Sequence, residues 1–277
     1  MKIYNLSELK SEQIVTYLKQ LRADVQTTGL ELKKIISKIE KNLLINTEYS
    51  FALVVENEIG GIIFILESVD AAYISLLYIS AKFRNRGFGR SLMERALDGL
   101  RQADIKEVYL EVLADNQYAI KLYQSMGFEI VRQLCQFRNE TNSFYRRDSY
   151  RRYENGDPLI FAMLRKNFGV NKLFSETNPL YINFLLEAKI AEFHIFYLDN
   201  KICGYIIARR GSNSLDIIDY GIISGSNDEL FIMISHILLK ETVVVIKNVV
   251  EDDEILNDLK KNGFFLDIKQ YCMKLIL

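Results

Sequence analysis

The run Phe83-Arg84-Asn85-Arg86-Gly87-Phe88-Gly89-Arg90 sets two glycines one residue apart among three arginines. A strand-like apolar run, Ala72–Ser80, precedes it, and an amphipathic helical pattern from about Ser91 to Ala103 follows. A loop that passes from a strand into a helix aims successive backbone N–H groups and the positive end of the helix dipole at one point. That is the physical requirement of an anion site. Gly87 and Gly89 admit positive φ and let the backbone approach a phosphate closely. Arg84, Arg86 and Arg90 add charge, so the loop suits a pyrophosphate.

The form Arg-x-x-Gly-x-Gly resembles the acetyl-CoA signature of the GCN5-related N-acetyltransferase (GNAT) family. The preceding Leu76-Leu77-Tyr78-Ile79 resembles that family's fourth strand. The segment Asn116–Phe128, NQYAIKLYQSMGF, resembles its second conserved block, Asn-x-x-Ala-x-x-x-Tyr-x-x-x-Gly-Phe. The resemblance covers roughly residues 1–150. It implies acetyl-CoA as acyl donor and assigns roles by position. Backbone groups of Leu77, Tyr78 and Ile79 would hold the pantetheine arm. The amides from Arg84 to Ser91, through Asn85, Arg86, Gly87, Phe88, Gly89 and Arg90, would hold the pyrophosphate. Asn116 and Ala119 would contact the cofactor near the thioester, and Tyr123 would sit beside the sulfur.

Acyl transfer to nitrogen needs a neutral amine, and reference amine pKa values run from about 8 to about 10.4. A base must therefore take a proton, and the departing thiolate must receive one. Tyr123 is the acid this resemblance implies, since a phenol can donate. Glu111 is the implied base: Leu110-Glu111-Val112, followed by Asn116 and Tyr123, is similar to the branch of the family that acetylates N-terminal amines of ribosomal proteins. The alternatives for these residues are a core tyrosine and a strand glutamate that faces solvent or pairs with a lysine.

The elements that must position these groups follow a clear order. Helical spacing covers residues near 7–20 and 28–43. Strand-like runs at Phe51–Glu56 and Ile59–Leu66 flank a turn at Asn57-Glu58. After the glycine loop and its helix come a strand over Lys106–Leu113, a helix over Asn116–Met126 stopped by Gly127, and a strand over Phe128–Phe137. The stretch Arg146–Pro158 is polar and ends in Asn-Gly-Asp-Pro, a boundary or an edge strand running into a linker. Tyr145 and Tyr150 with Arg146, Arg147, Arg151 and Arg152 read as a solvated linker rather than as the alternative, a basic acceptor edge.

The second half repeats the order: helical stretches near 158–168 and 179–189, strands at His194–Leu198, Cys203–Arg209 and Ser214–Ile223, a helix over Asp228–Lys240, a strand over Thr242–Val249, a helix over Asp253–Lys261, and closing strand structure over Phe264–Leu277. Gly127-Phe128 and Gly263-Phe264 lie 136 residues apart at equivalent places. At that offset Tyr123 meets Leu259, Glu111 meets Lys247 and Asn116 meets Asp252. The second loop, Ile223-Ser224-Gly225-Ser226-Asn227-Asp228-Glu229, has one glycine, no arginine and two carboxylates that would repel a pyrophosphate. The expected fold is therefore α/β (α+β): two tandem GNAT-like domains, 1–154 with the acetyl-CoA site and 158–277 without it, each a mixed, mostly antiparallel sheet flanked by helices. With 277 residues the chain is long enough for two cores.

Composition bounds the function. Thirty-five basic residues against 36 acidic argue against a general nucleic-acid binder. Cys135, Cys203 and Cys272 are far apart and form no CxxC or Cys/His cluster, so neither a metal site nor a disulfide framework is expected. His194, in an alternating strand, and His236, on an apolar helix, read as structural. No apolar stretch approaches the ~18 residues of a membrane span, and the N-terminus lacks a signal-peptide core, so the expected location is cytoplasmic. The sequence reading is an acetyltransferase acting on a small-molecule amine or a peptide N-terminus. The competing reading is a non-catalytic acyl-CoA-binding regulatory protein.

Overall fold

The computed structural model describes residues 1–10, 12, 14, 17, 48–67, 71–141, 144, 151–154, 157, 160, 161, 163, 164, 182, 185, 186, 189–240, 243–251 and 254–277. The helical stretch expected near 28–43 lies outside these residues, as do Tyr145, Arg146, Arg147, Tyr150 and Asp252, and the stretches near 158–168 and 179–189 lie largely outside.

The strands are β1 (Lys2–Asn5), β2 (Phe51–Val55), β3 (Glu58–Glu67), β4 (Ala71–Ile79), β5 (Glu107–Leu113), β6 (Glu129–Asn139), β7 (Arg151–Glu154), β8 (Glu192–Leu198), β9 (Lys201–Arg210), β10 (Ser214–Ile222), β11 (Val243–Val250) and β12 (Phe265–Ile276). The helices are α1 (Phe88–Gln102), α2 (Gln117–Gln124), α3 (Asp228–Ile237) and α4 (Ile255–Lys261). The β2–β3 hairpin turns at Glu56-Asn57, both at positive φ, one residue earlier than the sequence suggests. The β8–β9 hairpin turns at Asp199-Asn200, also both at positive φ. Such turns match the right-handed twist of paired strands. Strand β7 pairs antiparallel with β8, so the polar stretch before Pro158 does contain an edge strand.

The chain forms two compact units. The first is Met1–Val112 with Gln117–Glu129 and Met273–Leu277; the second is Leu113–Asn116 with Ile130–Cys272. The expected linear boundary at 154–158 therefore differs from the compact units, which exchange segments: β6 counts with the second unit and the chain's last five residues with the first. In the first unit the strand order is β1-β2-β3-β4-β5, with the end of β12 next. In the second it is β12-β6-β11-β10-β9-β8-β7.

Each unit places a helix on its sheet. α1 packs on β2, β3 and β4 through Leu92, Met93, Ala96, Leu97 and Leu100, all buried on one stripe. The opposite face of this sheet carries Ala52, Ile62, Phe64 and Tyr78, covered by Leu6, Ile14 and Tyr17. In the second unit α3 buries Leu230, Met233, Ile234 and Ile237 in a core with Ile206, Ala208, Leu215, Ile217 and Ile246.

Candidate active site in the first unit

Strands β4 and β5 are parallel and pair over only four positions, Ala71↔Glu107 to Ile74↔Leu110. At that point β4 carries an extra residue: Phe64 pairs with Leu76 and Ile65 with Ile74, which leaves Ser75 bulged. Beyond it the two strands have no mutual ladder, and a wedge opens between Leu76–Ile79 and Glu111. Ser80 N–H donates to Gly60 O at 2.9 Å, so the backbones of Ser80 and Tyr78 point toward β3. By alternation the backbones of Leu77 and Ile79 point the other way, into the wedge. The Ile79 carbonyl there accepts from Arg84 Nε at 3.0 Å. Tyr78 presents its side chain to the opposite core instead.

The loop after β4 is anchored from both sides. Phe83 is buried against Gly60, where a Cβ would lie 2.8 Å from its ring. Tyr17 Oη lies 3.1 Å from Ser80 Oγ. Arg84 N–H is taken by Ala81 O at 3.3 Å and Ser91 N–H by Gly87 O at 3.1 Å. Phe88, Gly89 and Arg90 are in the first helical turn, whose N–H groups have no intrahelical acceptor. Of the amides expected to face a pyrophosphate, those of Arg84 and Ser91 are thus engaged within the loop and helix.

The two glycines have different work. Gly87 caps α1 at φ +77 with nothing within 4 Å of where a Cβ would stand. Gly89 has no positive φ, so of the two glycines only Gly87 uses the freedom that both admit. A Cβ there would meet Leu122 Cδ2 at 3.5 Å, Ile79 Cγ1 at 3.8 Å and Leu77 Cδ2 at 4.0 Å. Gly89 therefore marks the point where β4, α1 and α2 converge. The arginines are also differentiated. Arg84 stacks 5.6 Å from the Tyr78 ring, Arg86 lies 5.8 Å from the Phe83 ring, and Arg90 Nη2 donates to Ser125 Oγ, tying α1 to α2.

Tyr123 lies on α2, buried, with its ring 6.0 Å from that of Phe128. Burial pushes its phenol up to about 12, because phenolate is poorly solvated there. The helix closes where Gly127 takes φ +91 and Phe128 N–H returns to Tyr123 O at 3.1 Å. Ala119 is half-buried on the same helix. Asn116 is exposed in the turn before it, its N–H on Leu113 O at 3.0 Å, and counts with the second unit.

Glu111 lies on β5, where Val108, Leu110 and Val112 are buried and Glu107, Tyr109 and Glu111 are half-buried. Gly61, Ile63 and Ile65 face α1, Ile65 pairs with Ile74, and Ile74 with Leu110, so Leu110 faces α1 and Glu111 projects from the opposite face. Two neighbours on that face escaped the sequence reading. Tyr109 Oη donates to Glu107 Oε2 at 2.5 Å, and Lys274 Nζ donates to Glu107 Oε1 at 2.5 Å. The period-two row Glu107, Tyr109, Glu111 was visible in sequence; its cation, 167 residues downstream, was not.

The second unit repeats the scaffold. Its parallel ladder runs Ser214↔Val243 to Ile217↔Ile246, and the register then shifts at Ile217/Asp219. Gly225 takes φ +106, and a Cβ on it would meet Glu229 Oε1 at 2.8 Å. The Glu229 carboxyl thus folds back over its own loop, buried at the start of α3. Leu259, the counterpart of Tyr123, is a fully buried core residue.

The sequence model of the acetyltransferase (GNAT) family matches residues 17–128. N-alpha-acetyltransferase 30 of Xenopus laevis is 33% identical over 81 residues, 28% of this chain and 30% of that protein. [Ribosomal protein bS18]-alanine N-acetyltransferase of Salmonella typhimurium is 38% identical over 60 residues, 22% of this chain and 40% of that protein. The chain thus spans less than half the length of these relatives. Among solved structures, a GCN5-related N-acetyltransferase from Anabaena variabilis superposes with a TM-score of 0.69 at 17% identity, covering 99% of this chain and 72% of that one. A tandem GNAT protein from the clavulanic acid biosynthesis pathway gives 0.63 at 12% identity, covering 82% of each chain. Such identities speak to fold alone, and the fold is that of tandem GNAT proteins. Residues 17–128 are the part of this chain that matches the acetyltransferase (GNAT) family.

Proposed function

We propose that the first unit transfers an acetyl group from acetyl-CoA to a primary amine, a small molecule or the N-terminus of a peptide. The observation that carries this reading is the wedge between β4 and β5, with an anion-binding loop at one end and Tyr123 and Glu111 on elements that flank it. The backbone edge at Leu77 and the Ile79 N–H suit an extended pantetheine arm, which they would bind as an added strand. Asn85–Arg90 suit the pyrophosphate. The small residue at Gly89, beside Leu77, Ile79 and Leu122, suits a thin arm passing close to the backbone. Acetyl-CoA supplies the activated acyl group.

The chain's own residues would handle the protons. Glu111, on the face opposite α1, meets an acceptor entering from that side and removes the ammonium proton, directly or through a water. Tyr123, on the α1 side, gives its proton to the departing thiolate. A phenol held near 12 stays protonated throughout the neutral range, which is the state a donor needs. The relatives' names favour peptide N-termini as the first acceptors to try. A cytoplasmic location goes with this reading; no helix among the described residues is long and apolar enough to cross a membrane.

The test is thiol release from acetyl-CoA by the whole chain against a panel of amines and peptide N-termini, with product mass measured. Acetylated product at a rate above hydrolysis is expected. Tight binding of acetyl-CoA with no turnover on any acceptor would instead support the non-catalytic binding protein.

A further inference from the structure

The last five residues, Met273–Leu277, count with the first unit, although they end the half that has lost the anion loop. Leu277 N–H donates to Lys106 O at 3.0 Å, which lays them beside the start of β5. Adjacent residues on a strand point to opposite faces, and the two in the middle reach different elements. Lys274 Nζ holds Glu107 Oε1 at 2.5 Å and lies 5.5 Å from the Tyr109 ring, while Tyr109 Oη holds the other Glu107 oxygen. Leu275 lies on the other face: a Cβ on Gly127 would stand 3.2 Å from Leu275 Cδ1. Gly127 is the turn that closes α2, with Phe128 N–H and Met126 N–H both on Tyr123 O.

We infer that Lys274 and Leu275 are positioning residues for acetyl transfer, one bracing the strand that carries Glu111 and the other the helix end that carries Tyr123. The inference rests on the function proposed above. The ladder of β5 with β4 stops at Leu110, one residue short of Glu111, so the strand that flanks β5 at Glu111 is β12, which carries Lys274. Lys274, Glu107 and Tyr109 form a three-member clamp on the same face of β5, ending two residues before Glu111. The Tyr123 helix is short, and its C-terminal turn, closed by Phe128 N–H on Tyr123 O, lies against Leu275 at Gly127. Neither Lys274 nor Leu275 touches the reacting atoms. The half without a cofactor loop would thereby complete the catalytic site of the other.

The experiment uses the whole chain, with wild-type turnover established first on whichever acceptor the amine panel identifies. Lys274→Met should lower kcat about tenfold, well inside what a small misplacement of catalytic groups can cost, and leave the acetyl-CoA Kd within twofold. Lys274→Arg should restore most of the rate. Glu107→Gln should match Lys274→Met, and the double variant should be no slower than the slower single, because both break one clamp. Leu275→Ala should lower kcat with the same unchanged Kd. Unchanged kcat in Lys274→Met and Glu107→Gln would overturn the inference, as would multiplicative losses in the double variant or a parallel loss of acetyl-CoA affinity. Should Lys274→Met not fold, the isosteric Glu107→Gln decides alone by the same split. A wild-type chain with no turnover on any acceptor sinks the proposed function itself, which is a different result.

Discussion

Tyr123 is buried, and burial alone raises its phenol to about 12. A group held protonated that far above neutrality sets no limb of a pH–rate profile between pH 6 and 9. Tyr123→Phe keeps the ring beside Phe128 and removes only the donor. It should lower kcat roughly 10²-fold, within the range for general acid catalysis, with the pH profile unchanged in shape and the acetyl-CoA Kd little affected. The raised value also has a stability consequence. The folded phenol keeps its proton while the unfolded one, near 10, loses it, so denaturation midpoints should fall more steeply as pH rises from about 10 toward about 12 in wild type than in Tyr123→Phe. Glu111→Gln makes a different pH prediction. Without the base, turnover depends on amine already neutral, so the deficit should be greatest near pH 7 and shrink as pH passes the acceptor's own pKa, about 8 for an α-amine. A deficit constant across that range would move the base to another group.

At the scale of the element, the helix α1 and its loop separate two effects that a sequence motif merges. Gly87 takes a left-handed backbone in open space, so Gly87→Ala should lower stability by about 1–2 kcal/mol through strain alone, measured by denaturant unfolding. Gly89 is an ordinary helical position facing Leu77, Ile79 and Leu122. Gly89→Val should stay folded yet lower acetyl-CoA affinity more than tenfold, about 1.4 kcal/mol or more, because its methyls would meet the arm passing close to the backbone. Calorimetry showing equal affinity in a folded Gly89→Val would remove the loop from the cofactor site. Two glycines one residue apart thus test conformation and access independently.

Both units carry a four-position parallel ladder, β4 with β5 and β10 with β11, but the loops after β4 and β10 differ in charge. The first loop offers two glycines and three arginines; in the second, the Glu229 carboxylate lies against Gly225 at the helix start. A like-charge contact there is worth several kcal/mol at an effective dielectric near 20. Titration of the chain with acetyl-CoA should therefore give a stoichiometry near one, and Arg84→Glu should remove nearly all of it. A second site of similar affinity would overturn this account. The full chain is needed for the measurement, because a fragment starting at Pro158 would lack β6, the antiparallel partner of β11.

The local elements that carry the candidate site were legible in the sequence because they are encoded locally. The Arg-x-x-Gly-x-Gly loop, the strand before it, the helix after it and the turn at Gly127 are each specified within a few residues by glycine conformation and apolar period. So was the repeat, since both halves must build the same ladder, and Val243–Val250 falls where Glu107–Leu113 does at the 136-residue offset. The period-two pattern of β5 put Glu111 on the face away from Leu110, but only the register of β3, β4 and β5 decided that this face lies opposite α1. Which glycine needed positive φ was also undecided by sequence, because the motif shows two glycines and φ depends on where the helix begins. The exchange of segments could not be read at all. Nothing in the local sequence of β6 or β12 specifies which sheet edge it joins. Their partners, and so the arrival of Lys274 at Glu107, are set by long-range pairing that no window of sequence contains.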